Sequence, residues 1–389
     1  MNWNNKALST RCIHAGEVDD TFGSPRTPLY TTTTFKFPST AELLDVIEGR
    51  KPGNLYTRYG MNPTVTAAEA KLACLEGSET ALMFGAGMAA ISALFLAHGR
   101  RGIACVGNMY GGTLELLLEQ LPQLGIATHW VLSVERDRLP ALLQSGVGLV
   151  FCETPANPTL DITDLAELAQ LAHRYGAALA VDNTFASPVN QQPLALGADL
   201  SVYSATKSLG GHSDLTAGVV CGDKKLVEPI RHWRKNLGQT PAPEVAHLLC
   251  RSLATLQLRI ERQNATAQLL ARELSHHPGV RRVLYPGQPD FPGHALAKRQ
   301  MRGFGGILTI EIKGSGDDAA QAADRLKLIA LAPSLGGIES LVSQPVATSH
   351  HGQTAGQLAR QGITDSMLRL SIGLEDPADL LADMEQALS

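Results

Sequence analysis

From about residue 65 of this 389-residue chain, short apolar runs alternate with longer stretches of helical period. The pattern predicts helices over 65–75, 88–98, 113–121 and 165–175, and strands over 81–84, 103–106, 147–152 and 179–181, followed by an apolar run over 199–203. Strands that take turns with helices predict an α/β fold with a mainly parallel sheet. Residues 1–55 show a helical period only over 40–47 and read as an arm, and 56–245 as a large domain. A long helical stretch over 245–276, strands near 306–312 and 368–372 and a closing helix over 377–388 predict a smaller α+β domain spanning 246–389.

Ligands of such sheets gather at the carboxyl ends of the strands. Segments 85–88, 108–112, 153–157, 182–184 and 204–207 each follow a predicted strand directly and would meet on one rim. Two of them carry unusual chemistry. Asp182 ends an apolar run, and Lys207 follows another. A lysine amine can form a Schiff base with a cofactor aldehyde, and the ring of pyridoxal phosphate stores a carbanion's electrons when an acid keeps its nitrogen protonated. Lys207 fits the first role and Asp182 the second, with the hydroxyls of Ser204 and Thr206 placed for the phosphate. The bland alternative for a lone lysine is a solvated surface charge.

Gly85-Ala86-Gly87-Met88-Ala89-Ala90 also fits the dinucleotide fingerprint G-x-G-x-x-A. The ribose-binding acid expected about 20 residues later is missing, because that stretch reads Cys105-Val106-Gly107-Asn108. Amides at a helix start bind phosphate whichever cofactor carries it, so Gly87 and Met88 serve the pyridoxal reading equally well.

Composition narrows the field. With 44% apolar residues and a net charge of -4, the chain can bury large cores. It holds no apolar run near the roughly 18 residues of a membrane span, and its first residues lack a leader's layout, so the default location is the cytoplasm. The 6 cysteines form no C-x-x-C pair, and the dispersed basic residues argue against nucleic acid. His212 and Asp214 are too few for a metal site, and no metal is expected. His276-His277 and His350-His351 read as surface residues.

Several ordered segments add a resemblance: Ile13-His14-Ala15-Gly16, Tyr56-Thr57-Arg58-Tyr59-Gly60, Tyr110-Gly111-Gly112-Thr113, Glu153-Thr154-Pro155-Ala156-Asn157-Pro158, Val181-Asp182-Asn183-Thr184-Phe185, Ser204-Ala205-Thr206-Lys207, Ser334-Leu335-Gly336-Gly337 and Arg369-Leu370-Ser371. Almost end to end, the chain resembles the Cys/Met-metabolism family of pyridoxal-phosphate enzymes, which includes the cystathionine γ-synthases, γ-lyases and β-lyases and the methionine γ-lyases. The resemblance implies a fold-type-I, aspartate-aminotransferase-like architecture with a seven-stranded sheet. It implies Lys207 as Schiff-base lysine, Asp182 on the pyridine nitrogen, and Tyr110 stacked on the ring as an acid–base partner. Gly87, Met88, Ser204 and Thr206 would hold the phosphate, joined by Tyr56 and Arg58 of a neighbouring subunit in a homotetramer. Asn157 would contact the ring, and Ser334, Arg369, Glu339 and Tyr56 the substrate. The implied reaction is γ-elimination or γ-replacement on cystathionine, methionine or an O-acylhomoserine. The alternatives are a β-lyase acting on cystathionine or cysteine, or a non-catalytic protein that retains the fold.

Some positions depart from the family pattern. Glu115 stands where the cystathionine enzymes often carry an arginine, Gly112 where methionine γ-lyases carry a cysteine, and Ser208 where a tyrosine is usual. Met61 reads as a one-residue insertion, and Ala347-Thr348-Ser349-His350 is an altered loop.

Overall fold

The computed structural model describes residues 3–389. Seven strands form the larger sheet: β1 (Thr80–Phe84), β2 (Ile103–Val106), β3 (Thr128–Val131), β4 (Leu149–Glu153), β5 (Ala178–Asp182), β6 (Leu200–Ser204) and β7 (Gly218–Gly222). Their order is β1-β7-β6-β5-β4-β2-β3. Only β7 runs against its neighbours, so the other six strands all end on the same rim.

Successive side chains of a strand point to opposite faces, and the core divides accordingly. β1 sends Leu82 and Phe84 into one cluster, with the helices Gly87–His98 and Leu165–Arg174. Ala81 and Met83 enter the other, with Pro63–Glu76 and Pro243–Leu253. Both faces are covered, so the strands are apolar almost throughout, as parallel sheets require.

The second sheet comprises β8 (Val280–Leu284), β9 (Ile307–Ile312), β10 (Ala330–Leu331), β11 (Leu341–Ser343) and β12 (Met367–Ser371), in the order β10-β11-β12-β9-β8. Leu308, Ile310, Leu368 and Leu370 pack with the helices Leu256–Leu274, Gly316–Arg325 and Pro377–Leu388. Ile307 and Met367 point the other way, toward Leu160 and Leu335.

Two predicted helices differ in detail. The 113–121 helix is a short α-turn, Gly111–Glu115, continued by a π-turn, Leu116–Gln120. Pro122 lies just beyond; it has no N–H, and its ring crowds the carbonyl four residues earlier. The long stretch predicted over 245–276 breaks at Ala254-Thr255. Its first half lies on Pro63–Glu76, while its second reaches β8 and β9. Among the described residues no helix is long and apolar enough to cross a membrane.

Candidate active site

The common rim holds a cavity of about 630 Å³ lined by residues from both sheets. β4 and β5 end together, with Glu153 opposite Asp182 in register. Asp182 is 8% exposed and accepts from the Thr184 N–H at 3.0 Å. Burial pushes both carboxyls above the usual carboxylate range, and for Glu153 the neighbouring Asp182 adds to the effect.

Lys207 lies in the turn after β6. Its amine donates to the Ser334 hydroxyl at 3.0 Å. Burial, and then the charge of Arg369, lowers its proton affinity. Ser334 adopts φ 142°, a region that favours glycine, and its carbonyl accepts from Arg369 Nη2 at 3.0 Å. Arg369 arrives on β12 and also donates from Nη1 to Asn157 Oδ1 at 2.9 Å. Its Nε is buried without a hydrogen-bond partner. Burial lowers its pKa to about 10, which leaves it charged at neutral pH.

Tyr110 is 46% exposed on the cavity wall. Its ring lies over Gly112, where a Cβ would come within 2.8 Å of Cε1. A cysteine at this position would displace the ring. Gly87 and Met88 open the helix Gly87–His98 without a capping side chain, leaving their amides for an anion. A Cβ on Gly87 would stand 2.8 Å from the Ser204 Cβ, so only glycine brings these amides against the end of β6. Ser204 and Thr206 both line the cavity, although the Thr206 hydroxyl is already engaged with the carbonyl and N–H of Ala217.

These residues fit pyridoxal phosphate. A buried carboxylate, a half-buried amine, an aromatic ring and an uncapped helix start face one cavity, as the cofactor's nitrogen, aldehyde, ring and phosphate require.

Tyr56 and Arg58, expected at the phosphate of a neighbouring subunit, do not line the cavity of their own chain; Arg58 donates to the Lys235 carbonyl at 2.8 Å and stacks on Tyr59. Glu339, expected at the substrate, is also absent from the lining: its side chain folds back against Gly337 and accepts from the Ser213 hydroxyl. His350 is 1% exposed rather than on the surface, because its loop turns inward beside Ser349, which lines the cavity. Glu115 is exposed and lies outside the lining.

Sequence reasoning placed Glu153 on the rim without giving it a task. Its signal was the one that singled out Asp182, an acid ending an apolar run. The Pro333 wall had no local signal, since it belongs to a loop of the second sheet, and Thr348 stood out only within the altered segment Ala347-Thr348-Ser349-His350.

The family model described as "Cys/Met metabolism PLP-dependent enzyme" matches residues 9–389. Cystathionine γ-synthase 1, chloroplastic, of Arabidopsis thaliana is 41% identical over 385 residues, covering 97% of this chain and 68% of that protein. L-methionine γ-lyase of Pseudomonas deceptionensis is 40% identical over 390 residues, covering 99% and 98%. The crystal structure of cystathionine γ-synthase from Xanthomonas oryzae pv. oryzae, in complex with aminoacrylate and cysteine, superposes with a TM-score of 0.92 at 35% identity, covering 98% of each chain. With a family model spanning nearly its whole length, and with Lys207, Asp182 and the start of the helix Gly87–His98 lining one cavity, the chain belongs to the Cys/Met-metabolism family of pyridoxal-phosphate-dependent enzymes.

Proposed function

We propose that this enzyme performs γ-elimination or γ-replacement on a sulfur- or oxygen-substituted L-amino acid such as cystathionine, methionine or an O-acylhomoserine. The observation that carries the reading is Lys207. Its amine is tethered to Ser334 and depressed in basicity, and it shares a cavity with Asp182 and the buried charge of Arg369.

When bound, pyridoxal phosphate supplies an aldehyde for amine exchange and a ring that stores the electrons of a carbanion. Asp182 would hold the proton on the ring nitrogen. Arg369, pinned by Asn157 and Ser334, would receive the substrate carboxylate, for which a guanidinium fork is well shaped. With its proton affinity lowered by burial, the Lys207 amine would be suited to accept the α-proton at Nζ and return it further along the chain. The Tyr110 hydroxyl would serve as a second proton carrier.

Tyr56 and Arg58 stand outside their own cavity with the arginine exposed, which supports a role for them at the phosphate of a neighbouring subunit in a homotetramer. Mixing inactive Lys207→Ala with inactive Arg58→Ala subunits would then restore part of the activity. No restoration, with mixed oligomers confirmed, would place Arg58 in its own subunit's site.

The deciding assay supplies the holoenzyme with L-methionine, L-cystathionine, L-cysteine, or O-succinyl-L-homoserine plus cysteine, and identifies the products by mass spectrometry. 2-Oxobutanoate or new cystathionine is expected. Pyruvate alone would make the enzyme a β-lyase, and unchanged turnover in Lys207→Ala would overturn the catalytic reading.

A further inference from the structure

The two oxygens of Glu153 each hold a different piece of the site. Oε2 accepts from the backbone N–H of Tyr110 at 2.8 Å, and Oε1 from the backbone N–H of Asn157 at 3.1 Å. Tyr110 carries the aromatic wall. Asn157 carries, through its own side chain, the Nη1 of Arg369. Across the strand pair Glu153 stands opposite Asp182. One buried carboxylate therefore lies at the junction of three groups with separate tasks: the aromatic face, the carboxylate fork and the acid for the ring nitrogen.

We propose that Glu153 is a positioning residue for the reaction, clamping the Tyr110 loop and the Asn157–Arg369 arm to the strand end that carries Asp182. The proposal rests on the pyridoxal-phosphate reading above but concerns a residue that reading does not use.

The chemistry of the clamp is specific to a carboxylate. Both of its partners are N–H donors, so the position needs two acceptors. An amide offers only one and sets an NH₂ against the other N–H. A buried N–H left unpaired is costly, so one of the two loops would move. The charged and titratable groups facing Glu153 are Asp182 from β5, Arg369 from β12 and, on its own strand, Cys152. Asp182 raises the proton affinity of Glu153 and Arg369 lowers it. Charge and reach are thus separable contributions.

Two variants separate them. Glu153→Gln keeps the length and loses an acceptor and the titratable group, whereas Glu153→Asp keeps a titratable carboxyl and loses reach. Both are compared with the parent holoenzyme in kcat and KM, normalised to bound cofactor, and in the visible circular dichroism of the cofactor. The third measurement is the equilibrium affinity of the cofactor-free protein for pyridoxal phosphate from pH 6 to 9.

Both variants are expected to lose roughly 10- to 100-fold in kcat/KM, with KM rising through the loosened arm and the dichroism changing through the loosened ring wall. Only Glu153→Gln should alter the pH dependence of cofactor affinity. Parent-like kcat, KM and dichroism in either variant would overturn the proposal, as would activity lost only in proportion to bound cofactor. A parent that turns over none of the tested amino acids would instead sink the functional reading, leaving the dichroism and affinity comparisons to judge Glu153.

Discussion

The amine of Lys207 and the hydroxyl of Ser334 meet at 3.0 Å although they lie on segments that follow strands of different sheets. Ser334 holds this contact at φ 142°, a conformation that penalises any residue with a Cβ. Replacement by Ala removes the hydroxyl and keeps the strain, while replacement by Gly removes both. Both variants should lose roughly fivefold in kcat/KM, the worth of one hydrogen bond of about 1 kcal/mol. Ser334→Gly should nevertheless be the more stable of the two by about 1 kcal/mol. Steady-state kinetics and thermal unfolding of the pair would check this, and equal melting temperatures would remove the strain from the account.

Arg369 spends two nitrogens on Asn157 and Ser334, which fixes the plane of its fork. Lysine keeps the charge and loses the fork. Arg369→Lys should raise KM for the amino-acid substrate by roughly 10- to 100-fold, the value of about 1.5–3 kcal/mol attached to charged hydrogen bonds, with a smaller effect on kcat. A larger loss in kcat than in KM would place the arginine at the reacting atoms instead.

Gly87 brings its helix within contact of Ser204, and its missing side chain sets that distance. Gly87→Ala should push the helix start away from β6 and weaken pyridoxal-phosphate binding by at least roughly tenfold, about 1.4 kcal/mol, with the rest of the fold intact. Titration of the cofactor-free variant by fluorescence would measure it.

His350 is buried beside Ser349, and burial together with the charge of Arg369 lowers its pKa from 6.5 to about 4. Between those values the unfolded chain takes up a proton that the folded one refuses, so acidification through this window destabilises the fold, by at most about 3 kcal/mol. Above pH 6.5 the effect is absent. The cofactor-free protein should therefore lose more stability between pH 6.5 and 4 than a His350→Asn variant does. Parallel curves for the two proteins would show that the histidine takes no part.

Much of the large sheet was legible in the sequence because it is buried on both faces. β2 matches its expected bounds, and β1, β4 and β5 differ by a residue or two. β3 escaped because an edge strand reading Thr-His-Trp-Val is only partly apolar, and β7 because two glycines bracket only three apolar residues. In the site, Asp182 and Lys207 stood out because each breaks the polarity of a strand end. Arg369 did not. It sits within an apolar strand of the other sheet, and only the resemblance linked it to the lysine. Glu339, too, was singled out only by the resemblance; in the structure its carboxylate lies against Gly337 and accepts from the Ser213 hydroxyl, a contact that no local pattern signals.

The reversed direction of β7 has a consequence for how this protein tolerates change. β6 and β7 pair directly, from Leu200↔Gly222 to Ser204↔Gly218, so the segment carrying Lys207 opens the loop of a hairpin just beyond its stem. Thr206 and Ala217 bond across that loop, and Gly211 closes back onto the Lys207 carbonyl at 2.7 Å. The tip at Ser213 and Asp214 is exposed. The lysine is thus anchored by its immediate neighbours, while the tip is tied through the Ser213 hydroxyl to Glu339 in the segment before β11. An insertion at Ser213-Asp214 should therefore disturb the Glu339 contact before it moves the reacting amine.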